Sequence, residues 1–381
     1  TAQGIRVHAM DIKKVIMDKK TQAYLDFLRF SINENTEVPS SAKNIDWEGL
    51  LQFGTKQCVR GVLFLGMKKL GTTNNHPSFE QLGQWLASVS AIKKANVQVY
   101  RDASLLTRVF KKETGLDSVV LKGQANAIKY PDPYIREPGD IDLWTMASTK
   151  QAIRWVRSHD PKANIEYHHI DMRGLRTPVE VHYVPSFVGN LFYELRLRHY
   201  FKKEKTKQFG NMATLPDGLG EIGVLCPHFD CLFQLSHMMH HFFFEGLGFR
   251  QVIDFYYLLR SMPTIDKGIM AEVKRLNMRK FTAAMMFIMH DILGLEEEKL
   301  LCEPDSKIGT MILEEMLHAG NFGYHDDRYE FSNLPLWRQY LLETYRNFHF
   351  AKTFPSETVF GRPLSRFWHA AYKLWLSSVA G

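Results

Sequence analysis

The chain has 381 residues, 45% of them hydrophobic and 13% aromatic, so it can bury a large core and is neither disordered nor collagenous. Its 48 Lys and Arg against 41 Asp and Glu leave +7, which favours polyanionic partners such as nucleotides, RNA or phosphorylated sugars without choosing among them. No apolar run approaches the roughly 18 residues of a membrane span, so no membrane partner is expected.

The start, Thr1-Ala2-Gln3-Gly4, lacks the apolar core of a signal peptide and does not open on methionine, as expected of a trimmed chain. Cys58, Cys226, Cys231 and Cys302 form no Cys-x-x-Cys and read as reduced, buried thiols of a cytoplasmic protein; the one pairing to consider is Cys226 with Cys231. Ile12, Val15, Ile16, Tyr24, Leu25, Phe27, Leu28 and Phe30 recur at near-helical spacing, predicting one or two helices over 11–32. The polar stretch 33–44, with Pro39, Ser40 and Ser41, reads as a linker. Asp46-Trp47-Glu48 then opens a helix with an acidic first turn that an apolar stripe carries to Leu70, and a third helix runs from Phe79 to Thr114, where Gly115 stops it. Residues 1–115 are therefore expected to form an N-terminal helical lobe without visible chemistry.

Residues 116–225 alternate strand and helix signals, the pattern of an α/β or α+β core. Strands are predicted at 118–122, 140–145, 165–172 and 179–184, and helices at 124–130 and 148–159, with Ser148 as an N-cap. A hairpin is predicted from 208–215 and 221–225 around Pro216-Asp217-Gly218, and the basic run 201–207 reads as a solvated turn. From Pro227 the apolar spacing is helical again, with helices covering 252–259, 270–276, 281–293 and 308–317. A polar loop at 322–330 and helices at 337–348 and 364–378 complete a C-terminal helical lobe, 226–381.

Candidate chemistry concentrates in the middle region. A strand sends alternate side chains to opposite faces, so Asp140 and Asp142 share one face while Ile141 and Leu143 point to the other. Two adjacent carboxylates repel unless a cation lies between them, and hard oxygen pairs suit Mg²⁺ or Mn²⁺ carrying phosphate oxygens. Glu180, alternating with His182 on a later strand, offers a third ligand. An isolated Asp-x-Asp pair is usually just solvated, but here a hydrophobic run ends in Lys122-Gly123 before a helix-compatible segment. In such a strand-turn-helix unit the glycine lets the backbone approach a ligand.

These residues resemble a family. Leu121-Lys122-Gly123, Tyr130-Pro131-Asp132-Pro133, Arg136, Gly139-Asp140-Ile141-Asp142-Leu143 and Val179-Glu180-Val181-His182 resemble the uncharacterised nucleotidyltransferase family of the DNA polymerase beta-like superfamily. Gly248-Phe249-Arg250-Gln251-Val252-Ile253-Asp254, after a His-rich helix, is similar to a segment of that family's C-terminal helices. The resemblance covers residues 45–355, most specifically 119–184. It implies an α+β fold, with a nucleotidyltransferase-like mixed β-sheet core and flanking helices between N-terminal and C-terminal helical lobes. It also implies two divalent ions, Mg²⁺ or Mn²⁺, on Asp140 and Asp142, with Glu180 as the third catalytic and metal-binding acid. A nucleoside triphosphate would be the donor, with Lys122, Gly123, Arg136 and Arg250 as candidate nucleotide-binding residues. An acceptor of unknown identity, a small molecule, sugar, protein or RNA, would attack the α-phosphorus in line as pyrophosphate leaves. The superfamily usually has Gly-Ser or Gly-Gly at the turn, with a shorter span to the first Asp; here it is Gly123-Gln124. That departure favours the competing expectation, a catalytically inactive nucleotide- or RNA-binding scaffold of the same fold, while the intact acids oppose it.

Several other residues carry two readings. His237, His240 and His241 share a helix face with Glu245 one turn on, and they either bind zinc or belong to a packed helix whose histidines reach a cleft or bond to backbone. The resemblance places one of them towards nucleotide or acceptor, making His240 and His241 the cleft-facing candidates. Arg250 either pairs with Asp254 at i+4 or, following Gly246 and Gly248, clamps a phosphate. Alternation can turn Lys122 away from the acids, and Arg136 either meets the triphosphate or pairs with Asp132. His182 either orients Glu180, serves as an auxiliary base or is structural. With no Gly-x-x-x-x-Gly-Lys-Ser/Thr, no Gly-x-Gly-x-x-Gly and no nucleophile motif, kinase and dinucleotide-oxidoreductase chemistry lack support.

Overall fold

The computed structural model describes residues 18–34, 36–70, 75–324, 326, 328 and 335–379. The start of the chain, the apolar positions 12–16 and residues 325, 327, 329 and 330 of the expected polar loop lie outside the described residues. Helical apolar spacing gives α1 (Lys19–Ile32), α2 (Trp47–Gln57), α3 (Arg60–Lys69) and α4 (Phe79–Thr114). The single helix expected over 46–70 divides at Cys58, whose left-handed φ of 54° closes α2. Glu137 then accepts a hydrogen bond from the Arg60 amide at 2.9 Å, satisfying one of the donors that a new helix start leaves open. Ser78 and Gln81 form a capping box on α4, and Gly115 ends it at φ 72°.

The sheet consists of β1 (Ser118–Val120), β2 (Ile141–Thr145), β3 (His169–Met172) and β4 (Val179–His182), in the order β1-β2-β4-β3. β2 and β4 run parallel and the other two pairings are antiparallel. Each strand is shorter than its sequence pattern suggests: Ile165 makes only an isolated bridge to Ile170, and Asp140 precedes β2. A helix, α5, occupies Gln124–Ala127 rather than 124–130; Lys129 and Tyr130 continue it only as turns, their amides bonding to Asn126 and Ala127 three residues back. After β2, α6 (Thr149–His159) carries the chain across the sheet from a capping box of Ser148 and Gln151. A further helix, α7 (Leu191–Glu204), was not anticipated. Lys202 and Lys203 lie in its last turn, where cations complement the helix dipole, rather than in a loop.

Alternation divides the sheet into two faces. Ile141, Leu143, Ile170, Val179 and Val181 are buried with Val99, Tyr100 and Ala103 of α4 and with Ile153 and Val156 of α6. Asp142, Trp144, Asp171, Glu180, His169 and His182 occupy the opposite face by register. Beyond a hairpin of β5 (Met212–Thr214) and β6 (Glu221–Gly223), α8 (Pro227–Phe244) covers part of that face, with Phe229 stacked on Trp144 at 5.6 Å. The remaining helices are α9 (Phe249–Ser261), α10 (Ile269–Arg275), α11 (Arg279–Phe287), α12 (Ser306–Ala319), α13 (Leu336–Asn347) and α14 (Arg362–Val379). One continuous core joins Phe27, Trp47 and Val62 to Phe249, Tyr256 and Met285, so α8 and α9 are braced from behind by helices from both ends of the chain. All four cysteines are free thiols, so Cys226 and Cys231 do not pair. No described helix is long and apolar enough to cross a membrane.

Asp230 on α8 is buried, accepts a hydrogen bond from Gln234 at 2.9 Å and lies 3.9 Å from Lys129. Burial outweighs both partners and pushes its carboxyl up to about 6. The folded state therefore binds this proton more readily than the unfolded chain, and stability is lost as pH rises from about 4 through about 6. A rise from the usual 3.8 to about 6 corresponds to roughly 3 kcal/mol. The unfolding free energy of the wild type minus that of Asp230→Asn should fall by about that amount between pH 4 and pH 7, as measured by paired denaturant titrations.

Candidate active site

Register creates the centre of the site. On the parallel β2–β4 pair Asp142 stands opposite Glu180, which brings residues 38 positions apart in sequence side by side. Asp142 is 1% exposed and Glu180 28%. His182 lies against both, its Nε2 3.0 Å from Asp142 Oδ1 and 3.3 Å from Glu180 Oε2. Lys122, just past the end of β1, turns inward rather than away and sets its Nζ 3.2 Å from Asp142 Oδ1.

The charges settle each other. Burial disfavours the imidazolium of His182, but hydrogen bonds to Asp142 and Glu180 outweigh it and lift its pKa to about 9. Burial likewise opposes the Asp142 carboxylate, yet the Lys122 ammonium and His182 hold it below the usual range; the His182 hydrogen bond does the same for Glu180. The Lys122 ammonium, desolvated but facing Asp142, Asp140 and Glu180, is held above its ordinary value. At neutral pH the four groups thus form two positive and two negative charges, and His182 acts as an orienting donor rather than a free base. Asp142 Oδ2 is buried and has no hydrogen-bond partner. Such an acceptor, next to a second carboxylate, suits a hard divalent cation. Asp140 faces the same cleft from the position before β2, but it belongs to none of the groups whose donor atoms lie within 4.8 Å of one another among the described residues.

Behind this centre the chain is bolted down. Arg136 donates from Nε and Nη2 to the two oxygens of Asp254, each at 2.8 Å, and Tyr130 donates to the same carboxylate at 2.8 Å. Arg136 is thereby paired with Asp254, and Asp132 pairs with Lys93 rather than with Arg136 as the sequence had offered. Glu137 grips the Arg60 guanidinium at 2.7 and 3.0 Å, and Asn96 of α4 donates to the carbonyls of Tyr134 and Arg136. Three helices hold residues 134–137, and through them the approach to Asp140.

Gly123 adopts φ 64°, which favours glycine, and with Arg136 it lines a narrow recess of about 20 Å³ that Lys122, Asp140, Asp142 and Arg250 line as well. The open cleft beside it, about 510 Å³, shares Lys122, Asp140, Asp142 and Arg250 with that recess and adds Glu180 and His182 among others. Arg250 does not pair with Asp254. Its Nη1 donates to the Glu137 carbonyl at 3.3 Å, its guanidinium lies 5.2 Å from the centre of the Phe322 ring, and its buried Nε has no partner.

The sequence model of a family described as "Uncharacterised nucleotidyltransferase" matches residues 43–294. The chain belongs to that family. Its α+β architecture, a small mixed sheet with flanking helices, is consistent with a nucleotidyltransferase-like fold. Among solved structures it is similar to an antigenic nucleotidyltransferase-like protein from Paracoccidioides brasiliensis, at 11% identity over 55% of this chain and 96% of that one, with a TM-score of 0.32. No curated protein matches it.

The nucleotidyltransferase-family cleft is unusually rich in imidazole. His237 and His241 face each other at 2.9 Å, His241 meets Glu245 at 2.8 Å, and His240 packs between the rings of Phe187 and Phe244. The face expected on α8 therefore does border the cleft, but His237, His240 and His241 form none of the mutually close donor groups among the described residues, which argues against zinc there. Sequence reasoning missed His168 and His169, which line the opposite wall. Their signal was available: β3 alternation puts His169 on the face that Asp171 shares, and the antiparallel ladder pairs it with His182.

Proposed function

We propose that this cleft transfers a nucleoside monophosphate from a nucleoside triphosphate to a hydroxyl or phosphate acceptor. The observation that carries the proposal is Asp142 opposite Glu180 across parallel strands, with an unpaired buried oxygen on Asp142 and a lysine and an arginine on the same cleft. A divalent ion, Mg²⁺ or Mn²⁺, held by Asp142 and Glu180 with Asp140 at the rim, would neutralise phosphate charge and acidify the acceptor hydroxyl. The chain's own residues supply the rest. Arg250 presents an incompletely bonded guanidinium to phosphate oxygens, and Lys122 balances charge beside Asp142. His182 holds both carboxylates in place through its two short contacts. The triphosphate is assigned to Lys122 and Arg250, which line the wide cleft, whereas Gly123 and Arg136 line only the narrow recess beside it.

A non-catalytic nucleotide-binding role draws support from one feature: Lys122 and His182 already neutralise Asp142 and Glu180 without any ion. A thermal-shift series with ATP, CTP, GTP and UTP, each with and without Mn²⁺, separates the two. Nucleotide at about 100 times its dissociation constant adds about 2.7 kcal/mol. A shift that requires Mn²⁺ and vanishes in Glu180→Gln supports transfer, whereas a metal-independent shift retained in Glu180→Gln supports the scaffold. No shift with any nucleotide would remove both.

A further inference from the structure

The wall beyond Glu180 carries two imidazoles, His168 and His169, for which nucleotidyl transfer has no use, beside His182. Ring nitrogens of His168, His169 and His182 lie within 4.8 Å of one another. His168 Nε2 is 3.1 Å from His169 Nδ1, that Nδ1 is 3.5 Å from Glu180 Oε2, and the same oxygen is 3.3 Å from His182 Nε2. Donors about 2.1 Å from a common ion stand roughly 3.0–3.4 Å apart, so His168 and His169 are already spaced as ligands, and His182 lies close enough to join them with a small shift.

The outer nitrogens are held in the way that metal-binding histidines need. His169 Nε2 faces Asp171 Oδ1 at 3.2 Å, and His182 Nδ1 faces the Val184 carbonyl at 3.4 Å. An oxygen on the far nitrogen fixes the tautomer and turns the near nitrogen's lone pair inward. Two of the three imidazoles stand on paired strands of one ladder, so their separation is set by backbone hydrogen bonds and not by flexible loops. Hard ions such as Mg²⁺ prefer oxygen and water, while imidazole suits zinc and its neighbours in the first transition row.

We propose that His168, His169 and His182 hold a zinc-like divalent transition-metal ion beside the oxygen-lined position that Asp142 and Glu180 form, with Glu180 on the border between the two. On binding, the ion takes the place of the proton that His182 shares with the two carboxylates, and that proton leaves to solvent. The assignment is independent of nucleotidyl transfer, because the ion is read directly with no nucleotide present.

The test uses the full chain, stripped with a chelator and titrated with Co²⁺ in excess Mg²⁺. One equivalent of Co²⁺ should develop the visible bands of a nitrogen-ligated ion and produce hyperfine-shifted, exchangeable imidazole N–H resonances, with Zn²⁺ abolishing both. Asp171→Asn, which touches the ion only through His169, should weaken Co²⁺ binding by about 10–100-fold. The double variant His168→Gln/His169→Gln should lose the bands while keeping the wild-type melting temperature in chelator. Absence of shifted imidazole resonances in the wild type overturns the site whatever the variants do. Their survival in a folded double variant also overturns it, since the ion would then sit on the α8 histidines. If the double variant fails to fold, the wild-type resonances and the Asp171→Asn affinity decide the matter.

Discussion

Asp142→Asn is expected to lower nucleotidyl transfer by about 10³-fold or more, a loss of about 4 kcal/mol of transition-state stabilisation. The substitution keeps volume and one carbonyl oxygen, so Lys122 or His182 can still donate to it. What disappears is the charge, together with the unpaired Oδ2 that is directed away from both partners. The two cations would then face Glu180 with only Asp140 at the rim, and an incoming divalent ion would meet one negative charge fewer at the centre. The assay is release of labelled pyrophosphate from the nucleotide identified by thermal shift, with the melting temperature as control. Turnover within a few-fold of wild type, in a folded variant, would remove Asp142 from the chemistry and with it the proposed centre.

That the carboxylates would share a face was legible because strand alternation is a local, period-two property; Ile141 and Leu143 on the opposite face fix the assignment of Asp142. Helix starts at Ser78 and Ser148 were likewise local, since capping boxes span four residues. What sequence could not give was partnership at a distance. Arg136 finds Asp254 118 positions away, and nothing near Arg136 announces it. Of the two readings left open for Lys122, turning away does not occur, because β1 ends at Val120 and strand alternation no longer governs the residue two positions on. His168 and His169 looked like ordinary polar strand residues until the β3–β4 register placed His169 opposite His182. The glycine turn was legible as a turn: Gly123 takes the positive φ that a tight reversal into a four-residue helix requires.

Arg136→Met and Asp254→Leu are each expected to destabilise the fold by about 3–5 kcal/mol, because each leaves a buried partner without its counter-charge. Both side chains are 5% exposed, and the bidentate geometry satisfies three donors on Asp254 once Tyr130 is included. Removing both charges should cost much less than the sum, since a buried pair and an apolar replacement of similar volume differ little in stability. Denaturant midpoints of Arg136→Met, Asp254→Leu and the double variant measure that coupling. If Arg136 were instead a phosphate ligand, Arg136→Met would leave the midpoint within about 0.5 kcal/mol of wild type and abolish the nucleotide-induced shift, as substitution of a surface side chain does. The geometry predicts the opposite order of effects: stability falls first, and nucleotide binding suffers only through Asp140, whose approach this pair anchors to α9. Arg250→Met should show the complementary pattern, a weakened nucleotide shift with a smaller loss of stability, because its guanidinium has only a carbonyl at 3.3 Å and the Phe322 ring to give up.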